Sequence, residues 1–228
     1  MFFKRCNIQP TLSPKEAMHP NPTFRTTTRQ DNVAFARERG FGLLAMSNSK
    51  MPLMSHVPFL LSEDGTQAEL HLVRSNPMAR AISGVVQAKI AVSGPDAYIS
   101  PDWYDLPDQV PTWNYVAVHL SGTLEPLPQD VLPALLDRLS AHFEAQLLPK
   151  APWTRDKMTA EVFDRMTRMI QPFRLSVTDI DGTWKLNQNK QAEARLAAAQ
   201  EVYGQALGQD TRALAALMQS SFADSDQG

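Results

Sequence analysis

Residues 54–76, MSHVPFLLSEDGTQAELHLVRSN, decide the fold. Two alternating apolar runs flank Glu63-Asp64-Gly65, a composition that folds one strand back on the next. In the second run Ala68, Leu70 and Leu72 share one face, while Gln67, Glu69 and His71 share the other, so this hairpin has a side to bury. Arg74-Ser75-Asn76-Pro77 follows at once, with Ser or Asn able to cap a helix and Pro suited to its first turn. Arg74 beside a helix start could hold a phosphate through charge-assisted hydrogen bonds. The same residues also make an ordinary cap with a surface arginine, and spacing alone leaves both readings open.

Outward from the hairpin, residues 1–30 hold four prolines and read as an extended arm. Asp31 is placed to cap a helix over 32–39 that Gly40 closes. Strands are expected over 41–47, 52–61 and 67–73, a short helix over 77–83, and a fourth strand over 85–93. Gly94-Pro95-Asp96 should break that strand before a brief resumption at 97–100. Residues 101–112 contain three prolines and three aspartates, and read as an ordered loop. The longest strand signal is 113–124, with Tyr115, Ala117, His119 and Ser121 opposite Asn114, Val116, Val118 and Leu120. After Pro126-Leu127-Pro128 the period changes to that of a helix, marked by Leu132, Leu135, Leu136, Leu139 and Phe143. A second helix over 158–170 leads to a last strand over 172–180, with Asp181-Gly182 as its turn. Helices over 190–205 and 210–219 end the chain. The expected architecture is α+β, a small β-barrel over 31–190 between the arm and a helical extension at 191–228.

Composition narrows the function classes. A net charge of −2 gives no general attraction to DNA or to an anionic membrane. The lone cysteine, Cys6, excludes an internal disulfide and suits a reducing compartment. No signal-peptide core and no apolar run near the ~20 residues of a membrane span is present, so a soluble, cytoplasmic protein is expected. The five histidines lack metal-site spacing, no GxSxG elbow is present, and Ser55 and His56 point to opposite faces of one strand. Neither dinucleotide nor P-loop glycine motifs occur. No metal site is expected and no catalytic residue can be named. Tyr98, Trp103, Tyr104 and Trp113 could wall a planar ligand, and Lys185 could add a cation.

Several segments resemble the PaiB family, the FMN-binding negative transcriptional regulators. His71 to Pro77 (HLVRSNP) is similar to its HLARxNP, and Ser55 to Pro58 (SHVP) to its SHLP or THLP. Residues 97–104 (AYISPDWY) and 110–119 (VPTWNYVAVH) are similar to AYISPSWY and VPTWNYxAVH, and 184–189 (WKLNQN) to WKLSQN. The resemblance implies an FMN-binding split barrel of the pyridoxamine-phosphate-oxidase type, a homodimer with flavin at the subunit interface. It implies FMN phosphate at Arg74, Ser75 and Asn76, with His71 near the ribityl phosphate and the flavin ring along Ser55, His56, Val57 and Pro58. Trp113 and Asn114, and Lys185, Gln188 and Asn189, would close the other sides, some from the second subunit. The chain departs from the family at its long, poorly matched first 40 residues, and at Pro172 to Leu175. It departs again at Asp181-Gly182-Thr183, which replaces EGK. The role implied is transcriptional repression, although no helix-turn-helix or basic stripe points to direct DNA contact. Two alternatives remain: a flavin-dependent reductase or oxidase using NAD(P)H, since flavin carries its own hydride chemistry, and a haem protein with His71 or His119 as axial ligand.

Overall fold

The computed structural model describes residues 17–48 and 51–220. Cys6 and most of the stretch read as an arm lie outside them. Strands β1 (Phe41–Met46), β2 (Leu53–Leu61), β3 (Gln67–Val73), β4 (Val86–Ile99), β5 (Thr112–Pro126) and β6 (Ile170–Lys185) form an antiparallel barrel. A two-residue strand, β7 (Gly208–Gln209), extends the sheet. The order is β1-β2-β3-β6-β5-β4-β7, and a further β1–β4 pairing closes the first six strands. Each strand sends one large side chain to the centre: Leu44, Phe59, Leu70, Ile90, Leu120 and Phe173 are all fully buried. Closure needs a small residue at Gly42, where a Cβ would stand 2.8 Å from the Ala91 carbonyl oxygen on β4.

Among the described residues six α-helices accompany the barrel: α1 (Arg29–Arg39), α2 (Pro77–Ala81), α3 (Leu132–Ala145), α4 (Ala160–Thr167), α5 (Ala192–Gln205) and α6 (Thr211–Ser220). β4 and β5 outrun β1, and α5 and α6 cover the exposed length. There Ala97, Ile99 and Val116 meet Ala198, Val202, Leu214 and Met218 in a second core. Val116 shares a face of β5 with Val118 and Leu120 of the barrel core. The C-terminal helices therefore complete the same buried surface.

Three sequence expectations need correction. Helix α1 is capped by Thr28, whose hydroxyl accepts from the Asp31 amide at 3.1 Å and donates to the Asp31 carboxylate at 2.6 Å. Asp31 is the partner inside the first turn, where a carboxylate also meets the helix dipole. Second, Gly94-Pro95-Asp96 does not break β4. It forms a bulge, with the β5 register shifting between Ser93 and Asp96. Third, Asp181-Gly182 is not a turn: β6 runs on to Lys185, pairing Asp181 with His119 and Gly182 with Val118. A Cβ on Gly182 would lie 2.0 Å from Asn32 Oδ1, so this glycine marks where α1 crosses the strand.

The described end of the supposed arm is also fixed. A 3-10 turn at Pro22–Arg25 buries Phe24, and the Met18 amide donates to the Asp181 carboxylate at 2.5 Å.

Candidate functional site at the split between two strands

The barrel is open between β2 and β3. β2 pairs with β3 only through Phe59–Leu61, whereas it pairs with β1 along Leu53 to Pro58. The first half of β2 therefore presents one backbone edge without a strand partner, an arrangement that a ligand's hydrogen-bonding rim can complete. Ser55 lies on this half. Its hydroxyl accepts from Asn76 Nδ2 at 3.0 Å, while Asn76 Oδ1 accepts from the Met78 amide at 2.8 Å. Asn76 thus caps α2 and ties it across the split. Met78, 1% exposed, anchors that helix in the core. Val57 is buried, Pro58 is half-buried, and His56 is exposed beside Phe41, the rings 6.2 Å apart and 20° from parallel.

Arg74 and Ser75 are exposed between β3 and α2, and the Arg74 side chain reaches toward the β6 flank of β3. Arg74 Nε donates to the Arg168 carbonyl at 3.0 Å, one Nη to Gln171 Oε1 at 3.3 Å, and the other to Gln129 Oε1. All three acceptors are neutral, and among the described residues no carboxylate pairs with this guanidinium. An anionic phosphate fits that donor set.

His71 lies elsewhere. It faces outward from β3 beneath α3 and α4, its Nδ1 buried without a hydrogen-bond partner. Burial pushes its pKa down and favours the neutral ring. His119 sits on β5 opposite Asp181, and its pKa is lowered by burial and by Lys89 against an opposing pull from Asp181. Among the described residues no group of three or more His, Cys, Asp or Glu side chains could hold a metal ion.

The remaining expected residues lie across the barrel, since β3 and β6 stand between β2 and β5 in the strand order. Trp113 is 44% exposed and meets Tyr98 edge-on at 6.3 Å. Asn114 is fully buried against α6, with Nδ2 3.6 Å from Met218 Sδ and Oδ1 unpartnered. Lys185 donates to Thr112 Oγ1 and lies 5.8 Å from the Phe24 ring centroid, its pKa lowered by burial. Gln188 holds the turn after β6, accepting from the Leu186 amide at 2.7 Å and donating to the Trp184 carbonyl at 2.6 Å and the Thr23 carbonyl at 3.3 Å. Asn189 is exposed.

Ser55 and Asn76 are thus brought together with Arg74 and Ser75 nearby, while the Trp113 and Lys185 groups stand apart. Sequence reading missed the open edge of β2 and Phe41 beside His56. Pairing registers create that edge, and residue types do not signal where pairing stops.

Residues 18–179 match the family described as "Putative FMN-binding domain". The match begins inside the stretch read as an arm, in keeping with the buried Phe24. Over 169 residues the chain is 30% identical to the Protease synthase and sporulation protein PAI 2 of Bacillus subtilis, covering 73% of this chain and 80% of that one. It is 33% identical over 99 residues to Uncharacterized protein YKL070W of Saccharomyces cerevisiae, covering 39% of this chain and 59% of that one. Among solved structures, the FAD and heme binding protein from Mycobacterium smegmatis aligns with a TM-score of 0.53 at 17% identity, covering 81% of this chain and 82% of that one. At that identity the likeness is one of fold. With a family match over most of its length and the Bacillus relative at this identity, the chain belongs to the PaiB family of FMN-binding split-barrel proteins.

Proposed function

We propose that this chain binds FMN at the β2–β3 split, works as a homodimer, and acts as a negative regulator of transcription through flavin state or a partner protein. The observation that carries the flavin reading is the open edge of β2, bounded by the Ser55–Asn76 link, with the cationic Arg74 two residues before Asn76. A flavin has the matching form: a flat ring with a hydrogen-bonding rim, and a phosphate at the end of a flexible chain. When bound it supplies redox chemistry of its own. Arg74 and Ser75 would hold the phosphate, and the β2 edge would orient the ring. The dimer reading is supported by the position of the exposed Trp113 on β5, with two strands between it and β2 in either direction around the barrel. The near-neutral charge supports regulation without direct DNA contact, and one cysteine in 228 residues suits a cytoplasmic setting.

The test is to add FMN to purified protein and follow flavin absorbance near ~450 nm after removal of free ligand. Retained, dithionite-bleachable absorbance is expected, and protein that takes up no FMN would refute the flavin reading. Transcript levels in cells lacking the protein, restored by the wild-type chain and not by Arg74→Ala, would support the regulatory role. Steady NAD(P)H oxidation by the loaded protein would instead make it an enzyme.

A further inference from the structure

The Ser55–Asn76 link at the split has a fixed polarity, and that polarity leaves one proton unused. A backbone N–H only donates, so the Asn76 atom facing the Met78 amide at 2.8 Å is its oxygen, Oδ1. The side chain therefore turns Nδ2 to Ser55 at 3.0 Å, and Ser55 Oγ is the acceptor of that bond. A hydroxyl also carries a proton to donate. Among the described residues Ser55 Oγ makes no other hydrogen bond, and the side chain is half-buried, so this proton is open to a ligand. The backbone beside it is prepared in the same way. Phe59 N–H donates to the Gly40 carbonyl at 2.8 Å, on the β1 side. Backbone groups alternate flanks along a strand, so Val57 and Ser55 turn theirs to β1, and His56 turns its N–H and C=O to the open flank. Pro58 offers that flank a carbonyl alone.

We propose that Ser55 donates a hydrogen bond to an acceptor atom on the rim of the flavin ring, that Asn76 fixes its direction, and that the pair thereby raises the reduction potential of the cofactor. The proposal rests on flavin lying at the split. Reduction by two electrons and one proton leaves the ring with a net negative charge, so a donor at its rim favours reduced over oxidised flavin. Asn76 does not itself need to touch the ring. It acts through Ser55, as a positioning residue, by occupying the acceptor side of the hydroxyl.

The test is a redox titration of the FMN-loaded full chain, with dithionite as reductant and a reference dye. Ser55→Ala should weaken binding of reduced FMN about tenfold more than that of oxidised FMN, the difference between a charge-assisted and a neutral hydrogen bond. For a two-electron couple this lowers the midpoint potential by about 30 mV. Ser55→Thr keeps the hydroxyl and should hold the wild-type potential. Asn76→Asp keeps the cap on the Met78 amide but has no donor, so Ser55 turns its proton to the carboxylate and away from the ring. The new charge lowers the potential by itself, and the decisive reading is therefore the coupling. Ser55→Ala should shift the potential in the wild-type background and leave it unmoved in the Asn76→Asp background. Ser55→Cys, a weak donor of similar shape, takes the place of Ser55→Ala in this cycle if that variant does not fold. A wild-type potential in Ser55→Ala, or an equal shift in both backgrounds, would overturn the proposal with flavin still at the split. A wild-type chain that takes up no FMN would instead overturn the flavin reading beneath it.

Discussion

Arg74 joins a cation to a fixed direction. Its three hydrogen bonds go to neutral oxygens on the segments flanking α3 and α4, and none goes to a carboxylate. Arg74→Ala is expected to weaken FMN binding by about 1.5–3 kcal/mol, the range of a charge-assisted hydrogen bond, and fluorescence titration measures it. An unchanged dissociation constant would mean that another group holds the phosphate. His71 and His119 supply a second expectation at this scale. Burial lowers both pKa values in the folded chain, with Lys89 adding to the effect at His119. Below the ordinary histidine value of ~6.5 the unfolded chain therefore binds more protons than the folded one. Stability should rise with pH through this window and fall as pH drops from about 7 to 5. Urea melts of the flavin-free chain at a series of pH values check the sign, and replacing both histidines by Gln should flatten the fall. At the level of single residues the sequence was partly legible. It placed Arg74, Ser75 and Asn76 correctly at the start of α2, because Asn-Pro is a strong local signal. The family resemblance implies His71 near the ribityl phosphate, and in the structure α3 and α4, more than 60 residues later in the chain, lie over it.

Elements were legible where the hydrophobic period was regular and local. β3 and α3 fall close to the expected positions, with inward residues alternating in the strand and spaced three or four apart in the helix. Two of the three errors occurred at glycines read as punctuation. Gly182 and Gly94 look like turn residues in a one-dimensional reading, yet each makes room for α1: a Cβ on Gly94 would lie 2.6 Å from the Phe35 ring, and one on Gly182 2.0 Å from Asn32 Oδ1. Close approach and turning both call for glycine, and only the packed helix distinguishes them. Gly182→Ala should therefore destabilise the fold by about 1–3 kcal/mol, as overpacking does. Asn32 Oδ1 also accepts from Trp184 Nε1 at 2.8 Å, so the displaced group is itself part of a contact. Asn32→Ala alone should be destabilising, and combining it with Gly182→Ala should cost less than the sum of the two, a coupling that a double-mutant cycle measures. Strict additivity would show that α1 does not press on Gly182. At the start of the same helix, Thr28→Ala removes the cap and should cost about 1 kcal/mol.

At the scale of the whole molecule the decisive fact is strand order, which no local pattern contains. Trp113 lies on β5, and Ser55 lies on β2 with Asn76 joined to it, separated by β3 and β6 in one direction and by β1 and β4 in the other. On the proposed dimer reading, a flavin touches both groups by taking them from two chains. This is testable by complementation. Arg74→Ala removes the phosphate end and Trp113→Ala the distal wall, so homodimers of either variant should bind FMN weakly at both sites. In a mixed dimer, a site drawn from both chains combines the Arg74 of one with the Trp113 of the other. One of its two sites then carries both substitutions, and the other carries neither. Mixed dimers, isolated with two different affinity tags, should therefore bind one FMN per pair with wild-type affinity. If each site were built within one chain, every site in the mixed dimer would carry one substitution and none would recover. The two arrangements thus differ in stoichiometry at the wild-type dissociation constant, a result that does not depend on how far either substitution weakens its own site.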